Sequence, residues 1–227
     1  MKRIFNYHLL LGLLPLLFLA SGCKTGNETN VTPCNWTTVF YDDFTRADGP
    51  IGANYTTQVN TGTLNVAVSN NQMVLTGPAD FWAIRYVNGV TGNTQRVSIK
   101  FIGSKHFSLG VTCKSRDLGN NWMSQEFYMA VVSDTSLSLV KSQGSSGVPL
   151  ASQATSITVG HQYLLQITVD GAALVGSVED LTAGGKTLVS ATDSGTLNTG
   201  TIASLNGCCL LTDVSLALDE FMVEVCK

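Results

Sequence analysis

Charge is scarce in this chain, and so is histidine. Its 227 residues carry 13 Lys and Arg against 16 Asp and Glu, a formal net charge of −3. That balance offers no basic footprint for a phosphate backbone, so nucleic acid is excluded as a partner class. After the N-terminal segment the only histidines are His106 and His161. No pair of CxxC spacings accompanies them, which leaves no structural zinc site. There is no amphipathic helix of three turns. Beyond the N-terminal end, no segment approaches the ~20 apolar residues of a membrane-spanning helix.

What is there begins with an export signal. Met1-Lys2-Arg3 is basic, Ile4 to Ala20 is mostly apolar, and Ser21-Gly22-Cys23 is small. That order is the pattern of a cleaved secretory peptide. Leu19-Ala20-Ser21-Gly22-Cys23 resembles the bacterial lipobox, in which the cysteine becomes the lipid-bearing N-terminus. The competing readings are an ordinary signal peptide that contains a cysteine, and a transmembrane anchor. Pro15 and the short apolar run oppose the anchor. The expected organisation is a signal peptide at 1–22, a lipidated Cys23 with a polar tether at 23–35, and one domain at 36–227. The implied location is the bacterial cell envelope, at the outer membrane or cell surface, with the membrane as partner through Cys23.

The mature part is rich in Thr, Ser, Val, Leu and Gly, which suits many short strands joined by turns. Strands are predicted over 37–44, 64–68, 72–75, 81–86, 96–101, 107–114, 125–132, 136–141, 162–169, 173–178, 188–192, 201–205 and 215–225. Asp170-Gly171 is a strong hairpin signal. Phe107, Leu109, Val111 and Cys113 alternate with Ser108, Thr112 and Lys114. Tyr163, Leu165, Ile167 and Val169 likewise alternate with Gln166 and Thr168. Such alternation marks antiparallel sheet with one wet face, so the fold expected is an all-β sandwich or barrel. Five cysteines follow Cys23, in a compartment where disulfides persist. The odd number leaves at least one thiol unpaired within the monomer.

Three segments together resemble bacterial concanavalin A-like, laminin-G-like jelly-roll domains. The opening Tyr41-Asp42-Asp43-Phe44-Thr45-Arg46-Ala47-Asp48-Gly49-Pro50-Ile51-Gly52 is similar to their DDF-x-R-x-DG-x-LG start. Gly160 to Gly171 resembles their G-x-W-Y-x-L-x-(I/V)-x-(V/A)-x-G hairpin, with His161 where the family usually has Trp. Leu218-Asp219-Glu220-Phe221-Met222-Val223-Glu224-Val225 resembles their closing DDF-x-V strand. The Cys208-Cys209 pair has no place in that pattern. The resemblance spans Trp36 to Val225 and implies a jelly-roll sandwich of two antiparallel sheets. It implies neighbouring, antiparallel first and last strands, with Phe40 near Glu220 and a Cys34–Cys226 disulfide. It gives Arg46 and Asp48 a scaffolding role, with Arg46 pairing Asp48 or a carboxylate of the last strand. It also implies a calcium ion held near the terminal strands, with Asp43 and Asp219 as ligands.

Laminarinase-type hydrolases of this class place acids two residues apart on one strand, in an E-x-D-x-E pattern. No such triplet exists here, and Glu126 has no carboxylate partner beside it. The function expected is therefore carbohydrate binding without cleavage. The alternatives are a structural or protein-adhesion lipoprotein, and a glycan-degrading enzyme with an unrecognised site. Sugar recognition on a sandwich uses aromatic platforms beside amides and charged groups. Asn120, Asn121 and Trp122 offer that pairing in a turn-rich loop, with Lys114 and Arg116 close in sequence. Trp82 and Tyr86 share a strand face and are the second aromatic candidates. Packing in the core is the competing reading for Trp82, Tyr86 and Trp122 alike. Aromatics on an exposed concave sheet would favour sugar binding. A smooth face of Ser, Thr and Val would favour adhesion.

Overall fold

The computed structural model describes residues 34–60, 65–76, 81–116, 126–143, 147–195, 197, 200–209 and 215–227. Every regular element among them is a strand: β1 (Trp36–Asp42), β2 (Gly49–Pro50), β3 (Thr56–Asn60), β4 (Asn65–Ser69), β5 (Gln72–Thr76), β6 (Phe81–Val87), β7 (Thr94–Ile102) and β8 (Phe107–Arg116). The chain continues with β9 (Glu126–Ser133), β10 (Ser136–Gln143), β11 (Gly147–Ala154), β12 (Gln162–Asp170), β13 (Ala173–Asp180), β14 (Lys186–Thr192), β15 (Ile202–Cys209) and β16 (Ser215–Cys226).

These strands form two antiparallel sheets. The first runs β14-β13-β12-β7-β16-β5-β4-β2, with β1 also on β16, and the second runs β11-β10-β9-β8-β15-β6-β3. The inward rows are those the alternation predicts. Phe107, Leu109, Val111 and Cys113 are fully buried, and so are Leu165 and Ile167. The two layers touch closely: a Cβ added to Gly207 of β15 would lie 2.6 Å from the Leu75 side chain of β5. Buried Cys113 is a free thiol, and burial pushes its pKa up.

Strands β2, β3 and β11 escape the sequence pattern. β3 and β11 are the two edges of the second sheet. Edge strands need no alternating apolar row, and β11 carries Pro149, a residue that edges tolerate.

The first and last strands pair antiparallel, as the resemblance implies, but in a different register. Phe40 lies opposite Val223 and Asp42 opposite Phe221. Phe40 therefore packs on Phe221, with ring centroids 5.8 Å apart, and Glu220 instead pairs with Lys100 at 2.6 Å. β16 bulges between Asp219 and Met222 against β7, with Glu220 at φ 47°, and β1 shifts register between Thr38 and Phe40. A bulge moves a strand's phase by one residue, which sequence spacing alone does not reveal. Cys34 and Cys226 are joined by a disulfide.

The opening motif is scaffolding, with a corrected partner. Arg46 grips neither Asp48 nor the last strand. Its Nη1 and Nη2 donate to the two carboxylate oxygens of Asp42 at 2.8 and 3.1 Å, and Nη2 also reaches the Ile51 carbonyl at 2.5 Å. Asp42 Oδ1 accepts in addition from the Phe44 amide at 2.8 Å, where Phe44 is fully buried at φ 54°. Asp48 serves the β4–β5 hairpin, accepting from the Asn70 amide at 2.9 Å. His161 replaces the family's Trp by other means. Its Nδ1 lies 2.9 Å from Asp180 Oδ2, and its ring stacks on Tyr163 at 6.4 Å.

Asp180 also caps its own turn, accepting from the Thr182 and Ala183 amides at 2.9 Å each. The His161 contact first, then these amides, hold its pKa down from 3.8 to about 2. The carboxylate thus stabilises the β13–β14 turn above its ordinary pKa. That contribution fades as pH falls from about 4 toward 2. Urea titrations across that window should show Asp180→Asn to be less acid-sensitive than wild type, and identical pH slopes would refute the role. Replacing both Cys34 and Cys226 by Ser should lower unfolding free energy by ~2–5 kcal/mol. An unchanged urea midpoint would show that the clamp contributes nothing.

Candidate functional site

The outward face of the second sheet has a definite composition. Ser108, Gly110 and Thr112 of β8 stand opposite Cys208, Asn206 and Ser204 of β15. Opposed residues in an antiparallel pair share a face. On the other flank of β8, Gly110 faces Val131 and Thr112 faces Met129 of β9, and these face Ser138 and Val140 of β10. The face thus holds a polar half on β8 and β15 beside an apolar half on β9 and β10.

The polar half is wired together. Thr112 Oγ1 lies 2.8 Å from Ser115 Oγ and 2.7 Å from Ser204 Oγ. Ser204 Oγ donates to Asn206 Oδ1 at 3.1 Å, and Asn206 Nδ2 lies 3.4 Å from the sulfur of Met129. The absence of a side chain at Gly110 makes that last contact fit. A Cβ there would meet the Met129 sulfur at 2.6 Å. Thr112, Ser204 and Asn206 are buried, so their hydrogen bonds to one another meet a need for partners that water would otherwise supply. Chains of such groups in order also fix rotamers.

Trp82 and Tyr86 lie on β6, the next strand. Tyr86 is opposite Ser204, and Trp82 is opposite Cys208. Asn120, Asn121 and Trp122 lie outside the described residues, as does Cys23.

Lys114 and Arg116 sit at the end of β8, where its pairing with β9 is irregular between Cys113 and Arg116. Lys114 is buried at φ 54°, and its Nζ donates to the Gly92 carbonyl. Burial draws its pKa down. Its amide donates to Gln95 Oε1 at 3.0 Å. Lys114 therefore ties β8 to the loop before β7. Arg116 is the more exposed and pairs with Glu126 at 2.7 Å. Glu126 falls on the inward row of β9 with Tyr128 and Ala130, at the strand's end. No carboxylate occupies an outward position on the described strands of this sheet.

A second polar cluster closes the same sandwich internally. Lys141 pairs with Asp193 at 2.6 Å and donates to the Gly195 carbonyl at 2.7 Å. The Tyr128 hydroxyl donates to Asp193 at 2.5 Å and accepts from the Leu197 amide at 3.1 Å. Together they hold the connection from β14 to β15. Sequence reading did not single out this cluster, because Tyr128 lies 65 residues from Asp193, and Lys141 lies 54 residues from Gly195. Lys141 at an inward β10 position, in a row with Leu137 and Leu139, was the available signal.

Asp43 and Asp219 come together at the β1 and β16 end. Burial first, and then the charges of Glu220 and Asp43, raise the Asp219 pKa. Each carboxylate already caps an amide, Thr45 at 3.0 Å and Glu220 at 2.8 Å. Among the described residues no three acidic, histidine or cysteine side chains converge on a metal position. Calcium takes six to eight oxygens, and these side chains alone do not form such a cage.

No family model matches the chain, and no curated protein matches it. Solved structures do. A protein of unknown function with a galectin-like fold from Bacillus subtilis is 10% identical, with a TM-score of 0.61 over 86% of this chain and 99% of its own. The carbohydrate-binding module CBM66 from Bacillus subtilis is 13% identical, with a TM-score of 0.53 over 75% of this chain and 95% of its own. SCLam, a non-specific endo-β-1,3(4)-glucanase of family GH16, is 10% identical, with a TM-score of 0.56 over 86% of this chain and 93% of its own. At such identities the likeness establishes the fold: an all-β, galectin-like jelly roll of two antiparallel sheets, shared with carbohydrate-binding modules and with a glucanase.

Proposed function

We propose that this chain is an exported lipoprotein, anchored through Cys23, whose sandwich binds carbohydrate without cleaving it. The observation that carries the binding is the outward face of the second sheet. There a row of hydroxyls and an amide, Ser108, Thr112, Ser204 and Asn206, runs beside Met129, Val131 and Val140, and β6, which carries Trp82 and Tyr86, pairs with β15. Thr112, Ser204 and Asn206 are buried and bonded to one another, so they set the floor of the face, and the half-buried Ser108 and Ser138 beside Met129, Val131 and Val140 offer the partners that a sugar's hydroxyl edges and apolar ring faces need. Shared architecture with carbohydrate-binding modules supports the same function. Cleavage by paired carboxylates would need an acid and a second carboxylate flanking the bond, and the outward rows of the described strands supply neither. Asn120, Asn121 and Trp122, in the sequence between β8 and β9, remain candidates for the same ligand.

One observation favours a different occupant. The middle of the face is Ser, Thr, Val and Met, a smooth surface suited to a protein partner. Adhesion to a protein is the second reading.

Calorimetry of the full-length protein in detergent, against a panel of polysaccharides, separates the two. Saturable binding is expected, with Trp122→Ala weakening it by ~1 kcal/mol or more and Val131→Arg weakening it further by crowding the face. No binding to any polysaccharide would favour adhesion, and release of reducing ends would make the protein an enzyme. For the anchor, Cys23→Ser should abolish labelling by palmitate analogues and release the protein from membranes, since stable anchoring takes more than one chain. Undiminished labelling in that variant would refute lipidation at Cys23.

A further inference from the structure

A cleft opens where the two sheets meet edge to edge, away from the outward face of the second sheet. Its volume is about 230 Å³, and it is bounded by Thr155 and Ser156 just after β11, Tyr163 and Val178 on inward rows, Asp180, and the Gly184–Thr187 segment leading into β14. Thr155 Oγ1 and Thr187 Oγ1, 3.0 Å apart, bridge the two edges at its wall. The Asp180 amide donates to the Gly185 carbonyl at 2.9 Å, which sets the shape of the turn. Gly184 and Gly185 have φ of +79° and +102°, and nothing lies within 4 Å of where their side chains would be.

We infer that this cleft is a second binding site, and that it takes a single neutral sugar ring. Size excludes a chain, because pockets for drug-sized ligands run to ~300–1,000 Å³. The lining excludes an apolar ligand, because hydroxyls of Thr155, Ser156 and Thr187 surround it. Charge excludes an anion. Asp180 stays ionised through neutral pH, with its two oxygens fixed by His161 and by two backbone amides. Lys186, which also lines the cleft, is matched by Glu179 at 3.4 Å. The Asp180 carboxylate is already engaged by His161, Tyr163 and two amides, so it sets the negative rim, and the hydroxyls of Thr155, Ser156 and Thr187 supply the hydrogen bonds to the ring. Tyr163 lines the floor. It is buried, locked by stacking on Phe101 at 5.3 Å and by the Thr158 amide at 2.8 Å. Floor and rim are therefore in place before any ligand arrives, which lowers the ordering cost of binding.

Ligand-observed saturation-transfer NMR on the full-length protein in detergent tests the inference. The probes are methyl β-glucopyranoside, methyl β-galactopyranoside, methyl α-mannopyranoside and glucuronic acid. At least one neutral glycoside should saturate, and glucuronic acid should bind more weakly. Ser156 is exposed, so Ser156→Trp can fill the mouth without entering the core, and it should weaken the glycoside about tenfold or more, about 1.4 kcal/mol. Thr187→Val removes one hydroxyl without blocking the cleft and should weaken binding by a smaller factor. Saturation by none of the neutral glycosides would overturn the inference. So would unchanged binding in both variants, or a preference for glucuronic acid. The polysaccharide titrations with Val131→Arg report on the sheet face alone. Glycoside binding without polysaccharide binding would sink the face and leave the cleft, and the converse would sink the cleft alone.

Discussion

The last strand is the constraint on which the rest of the sandwich depends. β16 spans twelve residues, Ser215–Cys226, and hydrogen-bonds to three other strands. Along one edge it pairs with β7. Along the other, its first part takes β5 and its later part takes β1. The first sheet therefore cannot close until the final residues of the chain arrive. Its side chains also reach inward, where Leu216, Leu218, Phe221 and Val223 are fully buried. Removing this strand would expose both ladder edges and a row of the core together. The Cys34–Cys226 bridge secures the same strand from its far end, across a separation of 192 residues. A cross-link closing so long a loop restricts the unfolded chain most, in the entropic account of disulfides.

Polar groups close the places where hydrophobic packing runs out. Arg46 and Asp42 fasten the segment after β1, and Arg96 joins Glu224 at 2.6 Å while lying 4.2 Å from the Trp36 ring. Lys141, Asp193 and Tyr128 fasten the passage from one sheet to the other. Arg46 and Asp193 sit on connections just outside strands, while Arg96 and Glu224 face each other across β7 and β16. Buried or half-buried ion pairs add little net stability against hydrophobic replacements. Their use here is geometric: each donor fixes a particular carbonyl or carboxylate.

The same division of labour leaves two surfaces free for ligands. The second sheet turns its apolar rows to the core, and its outward rows combine hydroxyls with Met129, Val131 and Val140. The edge where β11 approaches β14 is sealed only in part, by Thr155 and Thr187, and the space beside that seal is the cleft. One surface is broad and suits a chain, while the other is small and suits a ring. Both stand on strands or on capped turns, so neither requires a long loop to fold around a ligand.

Local chemistry determined much of this by itself. The alternation in 107–113 and 162–169 reads directly as inward and outward rows, because side chains in a strand have a period of two. Asp170-Gly171 and Ser69-Asn70-Asn71 mark hairpins through the conformations those residues tolerate, with Asn70 and Asn71 both at positive φ. The motif resemblance brought the ends of the chain together and matched Cys34 with Cys226. Tertiary structure alone decided the register of β1 on β16. Irregularities at Thr38 and at Glu220 moved Phe40 from Glu220 to Val223, and no local residue preference encodes such a shift. It alone chose Asp42 over Asp48 for Arg46, since both acids are close in sequence and only the chain's path selects one. The edge strands β3 and β11 were invisible for a related reason: their pairing comes from a neighbour's open hydrogen bonds, and β11 brings only the partly buried Leu150 and Ala151 against the core.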